Sequence, residues 1–133
     1  MKIIVKRRDG DFMPFEKFTK SGRSYKPKAS ITSSGLIGFN NGSVKRFDLN
    51  NYKYCILYYD KEGRRIGIAL TNDENEEGVC KLRNRASGAD VSARAFFDFY
   101  KIDYSETCRY DATWDDLEEK IIVDIVDIKD RNQ

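Results

Sequence analysis

The sequence predicts a single domain of the α+β class: mostly an antiparallel sheet or a small barrel-like β structure, with one short and one longer helix. The chain has 133 residues, a length typical of one domain. Segments rich in β-forming residues follow one another across short turns, without the regular strand–helix alternation of βαβ units. With 40% apolar and 35% charged residues, the chain can bury a core. No run approaches the roughly 18 apolar residues of a membrane-spanning helix.

Seven segments carry the pattern of β-strands. They are 30–33, 36–39, 52–59, 65–71, 79–85, 107–113 and 121–128. The clearest unit joins the third and fourth segments into a hairpin, because both are rich in β-branched and aromatic residues and the polar turn 60–64 separates them. Gly63 is expected to supply the left-handed conformation that such a turn needs. In the last segment Ile121, Val123 and Ile125 share one face, which we expect to meet the core.

Two helices are expected between the strands. The short one follows Asn40 or Asn41, either of which can cap it, and carries Val44 and Phe47 on one face. After a loop at 86–90, the longer helix runs from its cap at Ser92 to about Ile102. Its apolar stripe is expected to face the core. The stripe comprises Ala95, Phe96, Phe99 and Tyr100.

The net charge of +2 conceals an uneven distribution of charge along the chain. Residues 1–28 carry nine basic and three acidic side chains, whereas residues 102–133 carry four basic and ten acidic ones. We therefore interpret residues 1–28 as a basic N-terminal arm and residues 29–133 as the single α+β domain. Such an arm can contact the acidic end of the same chain or bind phosphate groups.

Aromatic side chains interrupt the charges of the arm at Phe12, Phe15 and Phe18. Rings interleaved with cations are typical of surfaces that bind single-stranded nucleic acid, because the rings stack on bases. The same pattern also arises when a segment lies across a core with its rings inward. Because the rings cluster tightly in the sequence, we favour docking of the arm on the body over base stacking.

The chain contains no histidine and only three cysteines. It therefore lacks the commonest general base, the usual nitrogen ligand of zinc and the usual partner of a nucleophilic serine or cysteine. Cys55, Cys80 and Cys108 are widely spaced, which predicts reduced structural thiols rather than a disulfide framework or a zinc site. No cofactor and no metal are expected. Since the N-terminus lacks the apolar stretch and cleavage site of a signal peptide, we expect a cytoplasmic protein without membrane association.

The signals between residues 30 and 71 follow a particular order. A strand at 31–33 leads through Ser34-Gly35 into a second strand, and a short helix at 44–47 follows. A strand at 54–59, the turn Asp60-Lys61-Glu62-Gly63 and a strand at 66–70 complete the order. This order resembles the swapped-hairpin module of AbrB/MraZ-type DNA-binding proteins. The resemblance implies a homodimer whose two-fold surface presents basic side chains to a duplex.

Nine basic residues are candidates for contact with nucleic acid. They are Lys6, Arg7, Arg8, Lys45, Arg46, Arg64, Arg65, Arg83 and Arg85. Neighbouring arginines can bind phosphates or read guanine edges bidentately. Adjacent basic residues at a turn can also serve only to keep a sheet edge soluble.

The leading hypothesis is a non-enzymatic nucleic-acid-binding protein, a dimeric DNA-binding regulator whose partner is DNA or RNA. One alternative is a protein-interaction module that uses its acidic C-terminal end. Another is a Mg²⁺-dependent nuclease, because Glu118-Glu119-Lys120 contains the Glu-x-Lys pattern in which carboxylates hold the metal and a lysine positions water. An acidic surface turn explains the same stretch without catalysis.

Overall fold

The computed structural model describes residues 14–17 and 26–126, in which eight antiparallel strands close into a barrel. The strands are β1 (Lys28–Ile31), β2 (Leu36–Phe39), β3 (Tyr54–Asp60), β4 (Arg65–Thr71), β5 (Val79–Arg85), β6 (Gly88–Ser92), β7 (Cys108–Asp115) and β8 (Lys120–Asp124). Around the barrel they lie in the order β1-β2-β6-β5-β3-β4-β8-β7, and β7 pairs with β1 to close it. The helices are α1 (Asn41–Phe47) and α2 (Arg94–Phe99), and a 3₁₀ turn covers Leu49–Asn51. Within these described stretches no helix has the length and apolar character to cross a membrane.

Alternate residues of each strand fill the barrel interior. Successive side chains of a strand point to opposite faces of the sheet, and the inward set includes Ile37, Ile68, Val91 and Ile121, each fully buried. Burying a side chain of this size contributes about 1.5–3 kcal/mol to stability. The outward set of each strand is left to form the surface of the barrel.

A helix covers each end of the barrel. Because neighbouring strands are antiparallel, β2, β4, β5 and β7 finish at one end, and β1, β3, β6 and β8 finish at the other. Helix α1 follows β2 and buries Val44 and Phe47 at the first end. Helix α2 follows β6 and buries Phe97 completely at the second. We call these the α1 end and the α2 end.

Helix α1 begins where the sequence predicts, because Asn40 caps it. The Asn40 Oδ1 atom accepts hydrogen bonds from the backbone N–H of Ser43 (2.9 Å) and of Lys28 (3.0 Å). Its Nδ2 atom donates to the carbonyl oxygen of Lys26 (3.0 Å). One side chain thereby caps the helix and ties it to the start of β1. The helix ends where Asp48 adopts a left-handed conformation, with φ of 60°.

The predicted α+β class with a small barrel-like β structure is confirmed. The bounds of β2 and β5 agree with the predicted segments 36–39 and 79–85. The predicted hairpin is formed by β3 and β4, which pair from Tyr54 opposite Thr71 to Asp60 opposite Arg65. The face predicted for the last strand is also confirmed. Its three residues are buried in the core: Ile121, Val123 and Ile125.

The prediction of a loop at 86–90 is wrong from Gly88 onward, because β6 begins there. Its hydrogen bonds run to β2 on one side and to β5 on the other. Small, turn-forming residues predict a loop locally, but pairing on both sides satisfies the backbone and outweighs that preference.

The prediction of one short and one longer helix is also wrong. Helix α2 has six residues and α1 has seven. Ser92 belongs to β6, and Lys101 has a left-handed φ of 57°, so that the helix cannot continue to Ile102. The predicted stripe is displaced as well, because Phe97 is the buried ring whereas Phe99 is 78% exposed.

Candidate nucleic-acid interface

The barrel separates the predicted basic residues into two groups. Arg64 and Arg65 lie in and beside the β3–β4 turn, at the α2 end. The remaining described candidates lie toward the α1 end, two on α1 and two at the end of β5. They are Lys45, Arg46, Arg83 and Arg85. The predicted residues Lys6, Arg7 and Arg8 lie outside the described residues.

Two of the predicted arginines share a buried carboxylate. Asp90 on β6 is only 7% exposed. Its Oδ1 atom accepts a hydrogen bond from Nε of Arg83 at 2.7 Å and forms an ion pair with Nη2 of Arg83 at the same distance. Its Oδ2 atom accepts from Nε of Arg85 at 2.5 Å. A buried charge needs such partners, because removal from water costs several kcal/mol when it is left unpaired. Both guanidinium groups remain partly exposed, so that their other N–H groups are open to a ligand.

A shallow groove runs from these arginines across the outside of the barrel. The strand registers place Arg83, Asp90, Gly38, Ser30 and Arg109 in one cross-strand row from β5 to β7. The floor is low because Gly38 has no side chain and Ser30 has a small one. At about 4.8 Å per strand, the four steps of the row span roughly 19 Å. The groove encloses about 430 Å³, and we call it the arginine groove.

Arg109 forms the wall of the groove opposite Asp90. It is exposed, and within residues 14–17 and 26–126 it makes no ion pair. Arg85, Arg109 and Asp90 line the groove, and together with Arg83, which shares Asp90, they carry a formal charge of +2. Sequence analysis did not identify Arg109, because only the closure of the barrel by β7 and β1 brings it beside the groove.

Helix α1 places two further cations at the α1 end of the barrel. Lys45 and Arg46 occupy exposed positions in its last turn, while the opposite face of the helix is buried. The helix packs against β1, β2 and β6, which are the strands that form the groove floor and the Asp90 wall. Cations in the last turn also interact favourably with the helix dipole. Both residues therefore have a structural explanation as well as a functional one.

The β3–β4 turn explains Arg65 by local structure. Its Nη2 atom donates to Oδ2 of Asp60 at 2.9 Å. The N–H of Gly63 and then the guanidinium of Arg65 lower the pKa of Asp60 below its ordinary value. Arg64, and not Gly63 as predicted, adopts the left-handed conformation, with φ of 55°. A Cβ atom at position 63 would lie 2.5 Å from Oδ2 of Asp60, so that a larger residue there would displace the Asp60 carboxylate.

The acidic stretch between β7 and β8 forms an exposed turn. Asp115 Oδ1 accepts from the N–H groups of Leu117 and Glu118, which stabilises the turn. Lys120 Nζ donates to the carbonyl oxygen of Glu118 at 3.1 Å and lies 4.4 Å from the ring centre of Tyr58. The lysine of the Glu-x-Lys pattern thus covers the outer surface of the sheet beside Tyr58.

The cysteines lie on three strands of the barrel. Cys55 on β3 is fully buried and stands directly opposite Cys80 on β5. Burial, and secondarily the neighbouring Cys80, raises the pKa of the Cys55 thiol to about 12. A protonated, inaccessible thiol is a poor nucleophile, so that Cys55 acts as a small apolar core residue, as predicted.

Comparison with protein-family models, curated proteins and solved structures finds no match to this chain. The function is therefore inferred from the chain's own geometry. Its most specific feature is the arginine groove, in which Arg85, held by Asp90, and Arg109 line a surface whose floor includes Gly38 and Ser30.

Proposed function

We propose that the protein binds nucleic acid in the arginine groove and acts as a non-enzymatic regulator. One observation carries the proposal: buried Asp90 holds Arg83 and Arg85 in fixed positions. Guanidinium groups remain charged at every physiological pH and bind phosphate oxygens bidentately. Because Asp90 already orders these side chains, less conformational entropy is lost when they bind a phosphate.

The shape of the groove also fits a sugar–phosphate backbone. The small residues of its floor allow a ligand to approach the sheet closely, and a Cβ atom added at Gly38 would meet no atom within 4 Å. Arg109 lies at the other side, so that two successive parts of one backbone can contact cations. Phosphate contacts of this kind supply affinity and orientation, whereas sequence preference needs additional contacts with bases.

The identity as a dimeric DNA-binding regulator rests on the resemblance of residues 30–71 to the AbrB/MraZ-type module. A homodimer presents two arginine grooves to one nucleic acid, so that its avidity exceeds the affinity of a single groove. Light scattering after gel filtration measures the mass in solution. A mass of one chain at micromolar concentration would remove the dimer from the proposal and leave the groove unaffected.

Fluorescence anisotropy with labelled single-stranded and duplex 20-mers tests the proposal. We expect binding at 50 mM salt that weakens steeply at 200 mM, because counterions are released from the phosphates. Arg109→Ala should weaken binding about tenfold and reduce the salt slope by about one. Arg65→Ala is the matched control, because Arg65 does not line the groove and is paired with Asp60 in its own turn.

Absence of binding at 50 mM salt would overturn the proposal, as would equal losses in the Arg109 and Arg65 variants. A second variant, Gly38→Glu, tests the groove independently, in case Arg109→Ala loses binding because it unfolds. It adds a negative charge to the groove floor where the structure leaves space, and it should abolish binding without lowering the melting temperature.

A second candidate function is recognition of a basic protein partner by the acidic β7–β8 turn. The specific observation is Leu117, which is 96% exposed between carboxylates. An exposed apolar side chain surrounded by one sign of charge fits a complementary surface on a partner. Replacing the turn carboxylates with amides would abolish this interaction and leave nucleic-acid binding intact.

A further inference from the structure

A cavity of about 820 Å³ opens at the α1 end of the barrel. Three aromatic residues line it: Phe47 from α1, Tyr52 after the 3₁₀ turn and Trp114 from β7. The Trp114 ring lies 6.4 Å from that of Phe47, with 32° between their planes, and Trp114 remains 43% exposed. An exposed indole beside a second ring is a surface on which a flat ligand can stack.

The rim of this cavity carries both signs of charge. Arg46 and Lys26 supply cations, and Asp48, Asp111 and Asp116 supply carboxylates. Asp111 lies 3.7 Å from Nζ of Lys26 and 2.5 Å from Nζ of Lys28, so that ammonium groups offset its charge. Such a rim offers cations for phosphate and carboxylate oxygens for the exocyclic amino groups of bases.

Strand β7 connects the cavity to the arginine groove. Arg109, Asp111 and Thr113 occupy successive outward positions, with Arg109 in the groove and Thr113 in the cavity wall. Four residues of a strand span roughly 13 Å. A ligand bound in the groove therefore reaches Thr113 over this distance, and Trp114, the next residue of β7, lines the same cavity.

We propose that the ligand is single-stranded nucleic acid and that one of its bases enters the cavity and stacks on Trp114. This inference rests on the proposed function, since it assigns the phosphates to the arginine groove. Bases of a duplex are paired and stacked inside the helix and do not reach such a cavity, whereas an unpaired base does. The rim carboxylates favour bases with an exocyclic amino group, namely adenine, cytosine and guanine.

The chain contains a single tryptophan, so its emission reports on this cavity alone. The experiment titrates the full chain with an oligo(dC) 12-mer, with a 12-mer of the same length whose nucleotides are abasic, and with a duplex. Each of the three ligands carries a label, and we expect the anisotropy of each label to rise on binding, because the phosphates bind the groove. Only oligo(dC) should quench Trp114.

Substitutions at Trp114 measure the contribution of stacking. Trp114→Leu should weaken oligo(dC) binding about 5- to 150-fold, the range expected for one stacked base, and leave the abasic strand unaffected. Trp114→Phe keeps a ring and should restore most of the affinity. If Trp114→Leu does not fold, the comparison of intact and abasic strands on the unmodified chain still shows whether a base stacks on Trp114.

The outcomes separate the two proposals. Failure of every oligonucleotide to bind rejects the arginine groove and this inference with it. Binding of all three ligands with equal quenching, or with none, rejects base stacking at Trp114 and leaves the groove in place. Stronger quenching by the duplex than by oligo(dC) rejects the assignment to single strands.

Discussion

Closure of the barrel between β2 and β6 depends on the absence of a side chain at Gly88. A Cβ atom there would lie 2.3 Å from the carbonyl oxygen of Phe39, whereas a carbon–oxygen contact needs about 3.3 Å. Gly88→Ala therefore forces β6 and the end of β2 apart by about 1 Å. Overpacking of this kind costs about 1–3 kcal/mol, which for a domain of this size lowers the melting temperature by roughly 3–15 °C.

Thermal unfolding followed by circular dichroism measures this difference. The matched control is Gly38→Ala, because a Cβ atom at Gly38 meets nothing within 4 Å. The control should melt at or slightly above the temperature of the unmodified chain, since alanine restricts the unfolded chain. A melting temperature for Gly88→Ala within about 2 °C of the unmodified chain, or an equal decrease for Gly38→Ala, would refute the close approach at Phe39.

Three further predictions concern local structure. Asn40→Ala removes the cap of α1 and its bonds to the start of β1, and should lower the free energy of unfolding in urea by about 1–3 kcal/mol; exposed Asn50→Ala should change it little. The pKa of Cys55 is raised from 9.0 to about 12 in the folded chain. The protonated thiol therefore contributes fully to the stability of the fold below pH 9, and this contribution is lost as pH rises toward 12. Urea unfolding at pH 8 and at pH 10.5 measures this loss. Between these pH values the free energy of unfolding should decrease less for Cys55→Ala than for the unmodified chain. Arg65→Gln should raise the lowered pKa of Asp60 toward 3.8, measured by carboxyl NMR; the Asp60 contribution is present above pH 3.8 and is lost as pH falls through the lower folded value.

Local interactions explain which elements the sequence predicts well. The β3–β4 hairpin closes over a short turn, and the Asn40 cap acts on Ser43, three residues away. Such features depend on neighbouring residues, which the sequence displays directly. The inward face of β8 is predictable for the same reason, because alternation alone determines it.

Distant pairing explains what the sequence does not show. Strand β6 contains Gly88, Ala89 and Asp90, which are poor β formers, and is held by strands on both sides. Arg109 reaches the groove because Ser30, 79 positions earlier, pairs with it. Neither position carries a local signal. The doublet Arg64-Arg65 shows the opposite case. Two adjacent arginines are conspicuous in the sequence and predict contact with nucleic acid, but Arg65 is paired with Asp60 in its own turn.

Asp90 couples the stability of the barrel to the proposed binding site. Removing Arg83 or Arg85 singly leaves the carboxylate one partner, whereas removing both leaves a buried charge unpaired, at a cost of about 3–5 kcal/mol. If that double variant lost binding, unfolding and the loss of the arginine contacts could not be told apart as the cause. Arg109 does not share this dependence, because no carboxylate among the described residues is paired with it. Binding and folding are thus separable at Arg109 and inseparable at Asp90, which makes Arg109 the position at which the function of the groove is decided.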